Sequence, residues 1–157
     1  MKRSFADYFI HTFELLLIWM IGGNVYYGIE LLWRGHSHES MFILGGVCLV
    51  LIGLLNEIPY TKNWYFEQQV LVGDLIVLVL EFFTGCVVNI GLGLNVWNYS
   101  DQPGNILGQI CPLFALLWLP VIMAAIVLDD FIKWKYLGYP KRTYTFYIDK
   151  IIQRCRR

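Results

Sequence analysis

The chain has 157 residues, of which 57% are hydrophobic, 17% aromatic and only 15% charged. Soluble domains carry roughly 45–50% apolar and about 25% charged residues, so this composition favours a membrane protein. The formal net charge is zero, without the basic field that nucleic acid would call for, and Cys48, Cys86, Cys111 and Cys155 show no paired spacing, against a disulfide or zinc framework.

The first apolar run, about 9–33, is too long for a signal peptide, carries Glu14 near its start and lacks a small-x-small cleavage site. It reads as a retained span. Further spans are expected at about 41–57, 69–89 and 106–128, near the roughly 20 apolar residues that a bilayer crossing needs. The expected fold is all-α, a polytopic membrane protein with four transmembrane helices over residues 1–130. The second span is short. Connection 90–105 is rich in Gly and Asn and can dip toward the membrane, which backbone tolerates only where it lines protein or water. Pro112 and Pro120 would loosen span 4 by removing backbone donors.

Residues 131–157 form a basic tail. Within "TYTFYIDKIIQRCRR", Tyr144, Tyr147, Ile148, Ile151, Ile152 and Cys155 fall on one helical face, with Lys150, Gln153, Arg154 and Arg157 off it. This predicts an amphipathic helix on the anionic cytoplasmic leaflet, or a basic tail that fixes topology. Lys2, Arg3 and Lys62 and eight Lys/Arg after span 4 fall on one side, and only Arg34 on the other. By the positive-inside rule both termini are cytoplasmic in a multi-pass protein of the cytoplasmic (inner) membrane. Trp33, Trp64, Trp97 and Trp134 lie near the expected boundaries, where indoles favour headgroups.

Two segments resemble each other: "ILGGVCLVLIGLL" (43–55) and "ILGQICPLFALLW" (106–118), preceded by "ELLWRG" (30–35) and "EFFTG" (81–85). Either spans 1–2 and 3–4 form a parallel two-hairpin repeat, or leucine-rich spans coincide by chance. A repeat would set Glu30 and Glu81 facing each other across a pseudo-twofold axis.

The polar residues fall on stripes. Gly23, Tyr27, Glu30 and Arg34 share one face of span 1, and Asp74, Leu78, Glu81, Gly85 and Asn89 one face of span 3. Gly46, Val50, Gly53 and Glu57 form a third stripe, on span 2. Small residues beside the acids let helices approach closely, so these faces should turn inward. An intramembrane charge costs about 2.5–3.5 kcal/mol even on a lenient scale, so Glu81 must be paired, hydrated or protonated. It is a candidate site for a substrate, ion or proton, or else a structural hydrogen bond. Glu30 has Arg34 at i+4 and reads equally well as a site or as an ion pair. Glu57 belongs to a separate inner site or gate, and Asp74 to the hydrated interface.

His36, His38 and Glu39 lack the spacing of a zinc motif, so no metal is expected; His36 stays a candidate ligand-binding group. Ser37 or Ser40 can cap span 2. Trp97, Asn98 and Tyr99 would form either a lid over the outer acids or interfacial anchors, with Asn105 and Gln109 adding donors at that level. The chain has no GxxxxGK[ST], GxSxG or HExxH motif. Nothing in it identifies a cofactor.

The runs "YYGIELLWRGHSHESMFILGG", "LEFFTG" and "VWNYSDQPGNILGQICPLFALLW" resemble a bacterial membrane family, the ABC-transporter permeases of type IV, or CmpB-like. More distantly they are similar to the transmembrane protein 229 group. The resemblance covers about residues 8–130. It implies that Glu30, Glu57, Glu81 and Trp97-x-Tyr99-Ser100 are the family's hallmarks here, and that Asn98 stands where the pattern often has Asp.

The reading is a transporter or permease component that binds a small polar solute, ion or lipid headgroup at an outward-facing site between helices. Glu30, Arg34, Glu81, Asn89, Trp97, Asn98, Tyr99, Gln109 and His36 are its candidate residues. Membrane lipid, a second copy of the chain and a separate ATPase subunit are its candidate partners. A membrane-embedded enzyme acting on a lipid or lipid-linked substrate, and a non-catalytic interaction subunit, are the alternatives.

Overall fold

The computed structural model describes residues 5–58, 60, 61 and 63–155. Lys2, Arg3, Lys62 and Arg157, used in the orientation argument, lie outside them. Among the described residues the chain is all-helical: α1 (Phe5–Arg34), α2 (Glu39–Leu54), α3 (Phe66–Gly85) continuing into a π-helical turn (Cys86–Gly91), α4 (Pro112–Tyr136) and α5 (Tyr147–Cys155). Three segments, Tyr8–Arg34, Phe66–Gly91 and Pro112–Tyr136, are long and apolar enough to cross a membrane; α2 is a shorter apolar helix. At 1.5 Å per residue its 16 residues span about 24 Å, less than the roughly 30 Å of a hydrocarbon core.

Two of the expected spans differ from the helices. The second span was expected to reach 57, but α2 stops at Leu54 and Leu55–Glu57 form a turn. The fourth was expected at 106–128 but begins at Pro112 and runs to Tyr136. Proline suits the first helical position, where its missing N–H has no partner to lose. Leu107 and Gly108, both at positive φ, turn the chain just before it. Pro112 therefore starts α4 rather than loosening it, whereas Pro120 does sit inside the helix. The division at 130 falls within α4.

The late start of α4 separates the halves of the expected repeat. "ILGGVC" is helical in α2, while "ILGQIC" lies in a turn closed by an isolated Ile106–Ile110 bridge.

Glycine sets the packing of α1 on α2. A Cβ on Gly22 would lie 2.6 Å from that of Leu49, and one on Gly46 would lie 2.5 Å from the Trp19 carbonyl oxygen. The backbones approach this closely because those atoms are missing. Ile52, Phe66, Val70, Val77, Ile122 and Ile126 join α2, α3 and α4 in one core; Met41, Leu44, Val88 and Trp97 form a second. Phe9, Phe13 and Leu16 on α1 and Leu71, Leu75 and Phe83 on α3 stay exposed, as suits apolar surroundings.

The bundle has two polar ends. At the upper end α1 turns into α2, and residues 92–111 connect the π turn to α4. At the lower end α2 turns into α3, and α4 leads into residues 137–146. This last segment is not a free tail. Phe66 N donates to the Thr145 carbonyl (2.9 Å), Tyr139 Oη to Glu14 (3.0 Å) and Tyr144 Oη to Asp130 (2.9 Å). Tyr144, expected on the face of the amphipathic helix, instead packs on Phe66 with ring centroids 5.0 Å apart. The helix itself is short, Tyr147–Cys155, with Tyr147, Ile148 and Ile152 exposed. The side chains of Ile151, Gln153, Arg154 and Cys155 lie outside the described residues.

Candidate functional site

At the upper end Glu30 is buried and fully engaged. Arg34 donates to one carboxylate oxygen at 2.5 Å, with Tyr26 Oη at 3.4 Å, and Ser37 Oγ donates to the other at 2.6 Å. Arg34 also donates to the Val96 carbonyl (2.9 Å), tying α1 to the 92–111 connection. The i, i+4 pair is therefore real, and its guanidinium is already committed. Ser37 serves Glu30, and the cap of α2 is His38, whose Nδ1 accepts from Ser40 N at 3.2 Å. His36 is exposed, with Nδ1 3.0 Å from the Arg34 carbonyl, and does not join the acids.

Glu81 has a different environment. It is 2% exposed and accepts from Trp118 Nε1 (3.0 Å) and Tyr99 Oη (3.2 Å), both neutral donors. Among the described residues no Lys, Arg or His pairs with it. Tyr26 and Trp118, with centroids 5.5 Å apart, connect the Glu30 and Glu81 carboxylates through aromatic rings. Glu81 also lines an apolar cleft of about 540 Å³, in the range of ligand pockets. Gly22, Val25 and Ile29 of α1 and Pro120, Val121 and Ala124 of α4 form its sides, with α2 and α3 as floor.

The 92–111 connection wedges into the upper end. The π turn carries Asn89, whose Oδ1 accepts from Val96 N (2.7 Å) and whose Nδ2 donates to Gln109 Oε1 (2.8 Å). Gln109 Nε2 donates to the Leu107 carbonyl (2.9 Å), and the Gln109 carbonyl accepts from Trp97 Nε1 (3.0 Å). Trp97 is buried against Met41, Leu44 and Val88. Gly85 makes room for it: a Cβ there would meet both the Trp97 ring and the Gln109 carboxamide. Tyr99 stacks on Phe114 with centroids 4.3 Å apart and reaches Glu81. Burial, then the Glu81 carboxylate, pushes its pKa above the usual tyrosine value. Asn98 is exposed, its Oδ1 accepting from Ser100 N (2.9 Å) and Oγ (2.6 Å) in a local turn. Of the candidates, Glu81 and Tyr99 touch each other, Asn89, Trp97 and Gln109 hold the connection in place, and Asn98 and His36 stand apart.

The lower end holds a second polar cluster. Lys133 Nζ lies 2.7 Å from both Glu57 and Asp129 and 3.2 Å from the Gly53 carbonyl. Glu57 is thus half of an ion pair, at the end of the bundle away from the upper acids. Asn56 Nδ2 donates to both oxygens of Asp130 at 3.0 Å. Tyr144 is held above its usual pKa by burial and by the Asp130 charge. A polar cavity of about 470 Å³ opens among these groups. Asp129 and Asp130 were not singled out in the sequence, and Lys133 entered only as one of the basic residues that follow span 4. Their signal was the i, i+4 spacing of Asp129 and Lys133. Asp74, placed by sequence at a hydrated interface, is half-buried with Oδ1 enclosed and unpartnered.

Among the described residues no group of three or more His, Cys, Asp or Glu could hold a metal ion. Residues 17–151 match the model of a family described as putative ABC-transporter type IV. Comparison with curated proteins finds no match, and comparison with solved structures finds none.

Proposed function

We propose a function from one premise: the chain belongs to the putative ABC-transporter type IV family, whose model spans most of its length. It is a membrane component of a transport system that takes up a cationic amphiphile at Glu81. The observation that carries this reading is the state of Glu81, a carboxylate buried beside an apolar cleft, held by two neutral donors and by no basic residue among those described. An isolated carboxylate in such surroundings takes a proton or is matched by a cation. The cleft between α1 and α4 offers apolar walls to a hydrophobic body, and Glu81 offers the charge to its head. Trp118 and Tyr26 line it as well, and aromatic faces favour cations.

Glu30 and Arg34 drop out of this ligand set, because each satisfies the other; their role is to clamp the upper end. The enzyme alternative loses support for the same reason. Its acid/base pair would be Glu30 and Glu81, which have aromatic rings between them, and its imidazoles face elsewhere.

Orientation follows the charge asymmetry, with the lower end and both termini cytoplasmic and α2 as a fourth, thinner crossing. A separate ATPase subunit would then meet the α2–α3 turn and residues 137–155, and a second copy of the chain would meet the exposed apolar faces.

The test uses two probes of equal shape and opposite charge, tetraphenylphosphonium and tetraphenylborate, with the purified full chain in detergent. Tetraphenylphosphonium should bind and tetraphenylborate should not, and Glu81→Gln should weaken the cation by at least tenfold while the protein still folds. Equal binding of the two ions, or an unaltered cation affinity in Glu81→Gln, would refute the assignment.

A further inference from the structure

The Glu81 cleft is a window in the side of the bundle. α1 packs on α2, and α4 packs on α2 and α3, which leaves a gap between α1 and α4 with α2 and α3 behind it. Two contacts frame that gap. Near its upper end the Tyr26 and Trp118 rings meet with centroids 5.5 Å apart, and at its lower end Tyr139, just past α4, donates to Glu14 at 3.0 Å. Val25 and Ile29 on one rim are each 44% exposed, and Pro120 and Ala124 on the other are exposed as well. In a membrane protein such an apolar rim lies against lipid tails, which are as apolar as the side chains themselves.

The cleft is polar at one end only. Glu81, Tyr26 and Trp118 stand at its top, and Glu81 is the only charged residue that lines it among those described. From the upper end Glu81 is capped by Tyr99, which is itself stacked on Phe114. Below it the walls are apolar: Leu49 and Ile52 of α2, Val77 of α3, and Ala124, Ala125 and Leu128 of α4. α4 lines the cleft from Trp118 to Leu128, a rise of about 15 Å at 1.5 Å per residue. A charge at the top, an apolar trough below it and a side open to lipid suit a small cationic head on one long chain.

We propose that this window takes a single-chain cationic amphiphile, a long-chain amine or quaternary ammonium, laterally from the bilayer, with its head at Glu81 and its chain running down toward Leu128. The inference rests on the assignment of Glu81 as the counter-charge of a cation, and adds the shape of the ligand, its orientation and its route.

The experiment places the full chain in phosphatidylcholine nanodiscs with three probes: dodecyltrimethylammonium, its analogue with an ammonium at both ends, and tetraphenylphosphonium. Affinities are compared at equal mole fraction in the lipid, so that partition cancels. Dodecyltrimethylammonium should bind at least about tenfold more tightly than the double-headed analogue, whose second charge cannot enter the trough. Ala124→Phe, which fills the trough below Trp118, should weaken dodecyltrimethylammonium about tenfold and leave tetraphenylphosphonium, held at Glu81, within about twofold. A dodecyl probe with a diazirine on its last carbon should label residues 49–52 and 122–128, and should lose that labelling in Glu81→Gln. If Ala124→Phe does not fold, the position of the label on the wild type decides. Equal binding of the double-headed analogue, full affinity in Ala124→Phe, or labelling confined to residues 92–111 would overturn the window even where tetraphenylphosphonium still depends on Glu81. Tetraphenylphosphonium binding that ignores Glu81→Gln would instead refute the cation assignment beneath it, and the window with it.

Discussion

Replacing Lys133 with Met probes the lower cluster most directly. The ammonium holds Asp129, which has no exposed surface, and Glu57, whose side chain keeps a quarter of its exposure. Met fills similar space without charge. Glu57 can then turn to water, whereas Asp129 has no route out: α2 packs over it so closely that a Cβ on Gly53 would collide with its carboxylate. Removing one partner of a buried pair costs roughly 3–5 kcal/mol, and here most of that falls on Asp129. The cost can be measured by equilibrium unfolding in mixed micelles titrated with sodium dodecyl sulfate and followed by circular dichroism. Adding Asp129→Asn to Lys133→Met should recover at least half of the loss, since the stranded charge is then gone. A Lys133→Met protein within about 1 kcal/mol of wild type, below that buried-pair range, would show that the cluster is solvated. A double variant no better than the single would refute the assignment of the cost to Asp129.

Three further outcomes follow from the packing. Gly46→Ala should destabilise the α1–α2 hairpin by about 1–3 kcal/mol, because its Cβ meets a backbone carbonyl that cannot rotate away; the same unfolding titration reads it. Gln109→Leu should leave the Asn89 carboxamide without its acceptor and free the connection, seen as faster hydrogen exchange over Val96–Ser100 with little change in the α1–α2 hairpin. Tyr99 and Tyr144 both carry raised pKa values, through burial first and then the carboxylates they face. The folded state thus favours their protonated forms, so the stability they add is whole below about pH 10, the unfolded value, and drains away as pH rises beyond it. Tyr99→Phe with Tyr144→Phe should flatten that alkaline decline, and an unchanged slope would show that these hydroxyls do not differ between folded and unfolded protein.

Much of the upper end was legible because its logic is local. Glu30 and Arg34 are one helical turn apart, and Gly45–Gly46 and Gly22–Gly23 announce close helix contact wherever a partner lies. The role of Pro112 was open in principle: the same residue breaks a helix or begins one. Only the left-handed turn at Leu107 and Gly108 decided for the second. The capping of α2 went to His38 because Ser37, equally able, was drawn to a charged acceptor.

The sequence by itself determined the class of molecule and its apolar runs, since a bilayer crossing is a property of consecutive residues. It also determined which carboxylates needed an explanation. The tertiary structure alone decided which explanation each received. Glu81 meets Tyr99 and Trp118, 18 and 37 positions along the chain, and Lys133 meets the Gly53 carbonyl across 80. Such pairings depend on how the helices rotate and approach, which side-chain packing sets and no local periodicity records. That is why two similar acids, Glu30 and Glu81, end in opposite conditions: one is neutralised by its own helix, and the other, beside an apolar cleft, has no basic residue paired with it among those described.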